Sequence, residues 1–246
     1  MKSVQREKLE FLCSYKKVEK EDTEMNKQVK SKKRVTDHGE VFTSKREVNA
    51  MLDLVKQETE RIDSRFLEPA CGTGNFLIEI LSRKLSIVER RYKKNQIDFE
   101  RYAVIAVSSI YGIDILEDNV IECRERLFDI FDEQYTKLYK TNCKKECRNT
   151  VIFLLNKNII HGDARTLCTA YDNTKPIIFS EWSAVNGSMI KRRDFTMDNL
   201  VNTHLPEYQK HEYALFSDEN DPAFLPTSIK DYPLQHFLKL GEANDS

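Results

Sequence analysis

The 246 residues are 40% hydrophobic and 32% charged, with a formal net charge of −1. That is the composition of a folded, soluble chain able to bury one good core. No apolar run approaches the roughly 20 residues that span a bilayer, and the opening stretch lacks the apolar core and cleavage site of a secretory leader. The expectation is a cytoplasmic protein without membrane contact. Bulk charge gives no general affinity for polyanions, but residues 1–36 carry 11 Lys or Arg against 6 Asp or Glu. This basic leader, helical or disordered, either meets phosphates or is simply a solvated arm.

Helical spacing begins at Ser44. Val48, Met51, Leu52 and Val55 recur on one face as far as about Arg61, and Ser44 with Glu47 has the form of a capping box. A short strand is expected at Arg65–Leu67, then a turn, then a helix from about Phe76 into the Arg90 region. A second helix over Ile97–Ser108 feeds a strand at Ile110–Ile115, and a helix follows over Glu117–Tyr139. Val151–Leu155 closes a further helix before short strands at Asn158–His161 and Pro176–Phe179. Strands alternating with helices predict an α/β fold with a parallel sheet and helices on both faces. After about Phe195 the pattern weakens.

The six cysteines are scattered. Cys143 and Cys147 form a CxxxC pair with no two further ligands nearby, so reduced structural thiols and no metal site are expected. The segment that points to chemistry is Phe66-Leu67-Glu68-Pro69-Ala70-Cys71-Gly72-Thr73-Gly74-Asn75-Phe76. Here a strand ends, two glycines permit a tight turn, and a helix begins. Its free amides then point at the place where open α/β sheets bind ligands.

This string resembles the cofactor loop of the adenine-specific DNA methyltransferases of restriction–modification systems, Asp-Pro-Ala-Cys-Gly-Thr-Gly, with Glu68 in place of the usual Asp. The resemblance implies a Rossmann-like methyltransferase sheet, incomplete at its C-terminal end, and S-adenosyl-L-methionine as cofactor. It makes Glu68, Ala70, Gly72, Gly74, Asn75 and Phe76 the wrap around the methionine part. Upstream, Gly39-Glu40-Val41-Phe42-Thr43 resembles the segment lying over the cofactor, where Phe42 would pack on it and Thr43 would bind its carboxylate. Downstream, Tyr111-Gly112-Ile113-Asp114-Ile115 resembles the second strand, whose acid takes both ribose hydroxyls. Asn158-Ile159-Ile160-His161-Gly162-Asp163-Ala164 resembles the third, with Asp163 on the adenine amine and the Ala164 amide at the ring edge.

The family's fourth strand ends in a polar residue, two prolines and an aromatic that stacks on a flipped base. Here Pro176-Ile177-Ile178-Phe179 is followed by Ser180-Glu181-Trp182-Ser183, without the prolines. Either Ser180 or Glu181 accepts from the target amine while Trp182 stacks, or the motif is lost and the chain is a cofactor-binding subunit. A second chain would then supply target recognition or the catalytic motif. The expected division is a leader over 1–36, a methyltransferase domain over 37–195 acting on DNA, and an irregular extension over 196–246. Lys191-Arg192-Arg193-Asp194 is either a phosphate contact or an exposed turn. A methyltransferase for RNA, protein or a small molecule stays open, as does a non-catalytic assembly subunit.

Overall fold

The computed structural model describes residues 29–201, 215–216, 222–223 and 226–242. The expected leader therefore lies mostly outside the described residues. The chain divides into two compact units at Leu54/Val55.

In the first unit, helix α1 (Lys32–His38) starts on Ser31, whose Oγ accepts the Arg34 amide, and ends at Gly39 with φ 66°. Helix α2 (Lys45–Leu54) carries the expected capping box. The Glu47 amide donates to Ser44 Oγ, and Glu47 Oε2 accepts the Ser44 amide at 3.1 Å. The expected single helix to Arg61 is broken at Val55, which leaves helical geometry at φ −116°, ψ 32°. A one-turn helix α3 (Lys56–Thr59) follows in the second unit.

The second unit is built on strands β1 (Phe66–Glu68), β2 (Ile110–Asp114) and β3 (Ile159–Asp163). They are parallel, in that order across the sheet, with Leu67 opposite Tyr111 and Asp114 opposite His161. Helix α4 (Asn75–Tyr92) buries Leu77, Leu81 and Leu85 completely. These fall at i, i+4 and i+8 on one stripe, each contributing about 1.5–3 kcal/mol. Gly112 lets α4 close on the sheet, since a Cβ there would lie 2.9 Å from Leu77. Helices α5 (Gln96–Ser108), α6 (Glu117–Tyr139) and α7 (Lys145–Asn158) complete the helical layer. Asn95 Oδ1 caps α5 by accepting from the Ile97 and Asp98 amides. Tyr135 of α6 stacks on Phe131 and Phe99 and donates to the buried Glu100, whose charge Lys144 neutralises at 2.6 Å.

Among the described residues, the buried amine of Lys84 is bonded to no carboxylate. Lys84 on α4 donates to the Ile62 and Ser64 carbonyls and to Ser109 Oγ, tying the turn before β1 to the entry of β2. Burial lowers its pKa to about 7.

After β3 the sheet continues antiparallel through β4 (Cys168–Thr169) and β5 (Asp172–Pro176). The strand expected at Pro176–Phe179 instead runs as β6 (Ile178–Ala184) and turns back into β7 (Met189–Thr196), an antiparallel pair separate from the parallel strands. The turn is the cause: Asn186 and Gly187 reverse the chain, Gly187 at φ 57°, with Met189 donating to the Asn186 carbonyl. Helix α8 (Met197–Val201) follows, and β8 (Leu215–Phe216) pairs with β9 (Pro222–Ala223). The expected irregular extension holds ordered pieces: β10 (Lys230–Asp231) and β11 (Gln235–His236) both pair with β7. A 3₁₀ turn at Phe237–Glu242 packs on α7, with Thr150 donating to the Phe237 carbonyl.

Candidate functional site

Parallel strands bring their exits together, and the glycine loop leaves β1 at that end. The Cys71 amide donates to the Ile113 carbonyl and the Gly74 amide to the Cys71 carbonyl, closing a tight turn. Gly72 and Gly74 hold φ 51° and 90°, conformations that a Cβ disfavours. Gly74 caps α4 without a side-chain acceptor, so the first turn of the helix presents amides that it cannot satisfy itself. Glu68 is half-buried, and burial raises its carboxyl pKa; Cys71 is held to Cys123 by a thiol hydrogen bond which, with burial, pushes its pKa far up.

Two acids stand at the exits of the next two strands, Asp114 on β2 and Asp163 on β3. Asp114 Oδ2 accepts the Gly72 amide at 2.8 Å, while Oδ1 accepts the Leu116 amide and Asn119 Nδ2 at 2.9 and 3.2 Å. A carboxylate has about four acceptor positions. Three are already used by the chain itself. Asp163 Oδ1 takes the Arg165 amide at 2.8 Å, which leaves Oδ2 as the side that can meet a ligand amine. Ile115 is exposed and Ala164 half-buried beside these acids. His161, expected as a strand residue, pairs with the Ile115 carbonyl at 3.0 Å. Phe42 and Thr43 belong to the first unit, where they line a shallow concavity with Val41, Glu47, Ala50 and Met51.

The three candidate catalytic side chains are not brought to this end. Trp182 is buried against Phe153 of α7 and donates Nε1–H to Asn158, the residue before β3. Glu181 pairs with Arg65, the residue before β1, at 2.6 Å and with Arg193 at 2.5 Å. Ser180 donates to Asp194 at 2.7 Å. All three thus gather at the strand entries, and β2 alone separates its two ends by about 13 Å. Burial and internal pairing leave Trp182 no free face for a base. A cavity of about 260 Å³ adjoins Glu181, Arg65, Leu67, Tyr111 and Phe179, also away from the loop.

The basic run is spent internally as well. Arg192 forms a buried two-pronged pair with Asp194 under the Tyr232 ring, and Lys191 pairs with Asp231.

Over residues 41–172, more than half of the chain, the sequence matches the family described as MmeI, DNA-methyltransferase domain. The chain belongs to that family. The MmeI-type methyltransferase match takes in the glycine loop, all three parallel strands and the turn to β5, and stops before the β6–β7 hairpin. The family is a DNA-methyltransferase domain of a restriction–modification enzyme. No curated protein and no solved structure matches the chain. Among the described residues, no helix is long and apolar enough to cross a membrane.

Sequence reasoning missed Asn119, Cys123 and Arg126, which contact the loop or its acid from α6. Their spacing of i, i+4 and i+7 was the available signal.

Proposed function

We propose that this chain is the S-adenosylmethionine-binding part of a DNA methyltransferase that acts on an adenine amine. The acceptor-holding residues would come from another chain. The observation that carries this reading is the loop Glu68–Phe76 at the exit of β1, bonded to Asp114 at the exit of β2, with Asp163 at the exit of β3 beyond it. The residues fit the cofactor chemically: turn amides suit a carboxylate, a carboxylate suits a ribose hydroxyl, and Asp163 Oδ2 suits an exocyclic amine. When bound, the cofactor supplies an electrophilic sulfonium methyl. The chain's own part is to bind and orient it and to exclude water from the loop.

The placement of Ser180, Glu181 and Trp182 at the strand entries favours the subunit reading over a self-sufficient enzyme. Adenine specificity and a DNA substrate rest on the family and on the resemblance of the loop.

Calorimetric titration with S-adenosylmethionine tests the first half. Micromolar binding that weakens in Asp114→Ala, by about 1–3 kcal/mol, supports the site; an inert wild-type chain sinks it. Incubation with DNA and methyl-labelled cofactor tests the second half. Label transferred to adenine by the chain alone would overturn the subunit reading.

A further inference from the structure

Helix α6 presents three side chains to the loop from one stripe. Asn119, Cys123 and Arg126 recur at i, i+4 and i+7 and therefore share a face. Asn119 holds Asp114, and Asp114 holds the Gly72 amide. Cys123 lies directly under Gly74, so that a Cβ on this glycine would come within 2.6 Å of its sulfur. Arg126 reaches furthest: Nη1 is 2.7 Å from the Thr73 carbonyl, 2.8 Å from Thr73 Oγ1 and 3.1 Å from Asn75 Oδ1.

Among the described residues, these loop atoms are all of the acceptors of Arg126. A long cation is thus committed to three uncharged oxygens on two residues of one turn. Those residues straddle Gly74, where the backbone at φ 90° departs most from ordinary geometry. Charge-assisted donors are the strong ones, and a turn with two left-handed glycines has many other conformations to lose. A guanidinium that bonds both sides of Gly74 removes those alternatives before any ligand arrives.

We propose that Arg126 is a positioning residue that presets the Thr73–Asn75 turn for S-adenosylmethionine. This rests on the cofactor reading above. A ligand meeting a preset loop need not bear the cost of ordering it, so the gain appears as affinity.

The test compares wild type, Arg126→Gln and Arg126→Lys in two measurements on the full chain. Amide hydrogen exchange without ligand reads the loop, and calorimetry with S-adenosylmethionine reads binding. In Arg126→Gln the amides of residues 70–76 should exchange faster while those of β2 and α6 keep wild-type rates. Affinity should fall about tenfold, the loss of one charge-assisted contact. Arg126→Lys, which keeps a cation, should recover part of both. Unchanged loop exchange, or unchanged affinity in a wild type that binds, overturns the proposal. Faster exchange across α6 and the sheet also overturns it, because Arg126 would then merely hold the helix. A wild type that binds nothing refutes the cofactor reading instead, and loop exchange alone then decides whether Arg126 presets the turn.

Discussion

The Trp182 indole donates to Asn158 Oδ1 at 3.0 Å, and Asn158 in turn donates through Nδ2 to the Ser108 carbonyl at 3.1 Å. A side chain that resembles a base-stacking aromatic is therefore a tie between the hairpin and the entries of β2 and β3. Trp182→Phe keeps most of the packing but strands the buried Asn158 oxygen. It should destabilise the fold by about 1–3 kcal/mol in denaturant unfolding and leave S-adenosylmethionine affinity unchanged. Wild-type stability with lost methyl transfer to DNA would restore Trp182 to the active site.

Asp194 is the anchor of the hairpin's buried polar cluster. It takes Arg192 through two nitrogens, together with Ser180 and Tyr232. Asp194→Ala removes the two-pronged acceptor of a buried guanidinium, at a cost of about 3–5 kcal/mol. Thermal unfolding should show a large drop, whereas a surface phosphate-binding run would tolerate the change.

At Gly74 two constraints coincide, the left-handed backbone and the Cys123 sulfur beneath it. Gly74→Ala should cost on the order of 1–3 kcal/mol. Combining it with Cys123→Ala should return only the steric share. A double variant as stable as Cys123→Ala alone would show that backbone strain contributes nothing there.

Lys84 makes stability depend on pH in an unusual direction. Its native pKa is lowered from the ordinary 10.5 to about 7 by burial. Between those values the unfolded chain holds more protons than the native one, so stability from this group rises with pH and is lost as pH falls towards 7. Lys84→Met should flatten the rise of melting temperature between pH 7 and 10. An identical slope in the variant would show that the amine titrates normally.

The candidate site was legible where chemistry imposes local backbone needs. Gly72 and Gly74 mark the turn, and the apolar strands place Asp114 and Asp163 at neighbouring exits. Helix α6 was read at its observed limits from its apolar spacing. The hairpin was misread because the short apolar run Pro176–Phe179 suits a parallel strand equally well. The stronger cue lay beyond it, in Asn186-Gly187 between strand-forming runs. Arg192 and Asp194 alternate with outward residues on β7, and only the partner elements reveal that their side faces inward. Lys84 interrupts an otherwise apolar stripe, and its carbonyl acceptors at Ile62 and Ser64 cannot be inferred from spacing.

Helix α6 does more than flank the loop. Two of its side chains bear on one turn and a third holds the acid bonded to that turn, so the order of the helix and the occupancy of the loop are thermodynamically linked. Whatever binds at residues 68–76 must stabilise the first turns of α6 by the same free energy that those turns lend to binding. A ligand at the strand exits would therefore be felt in the turns of α6 that carry Asn119, Cys123 and Arg126.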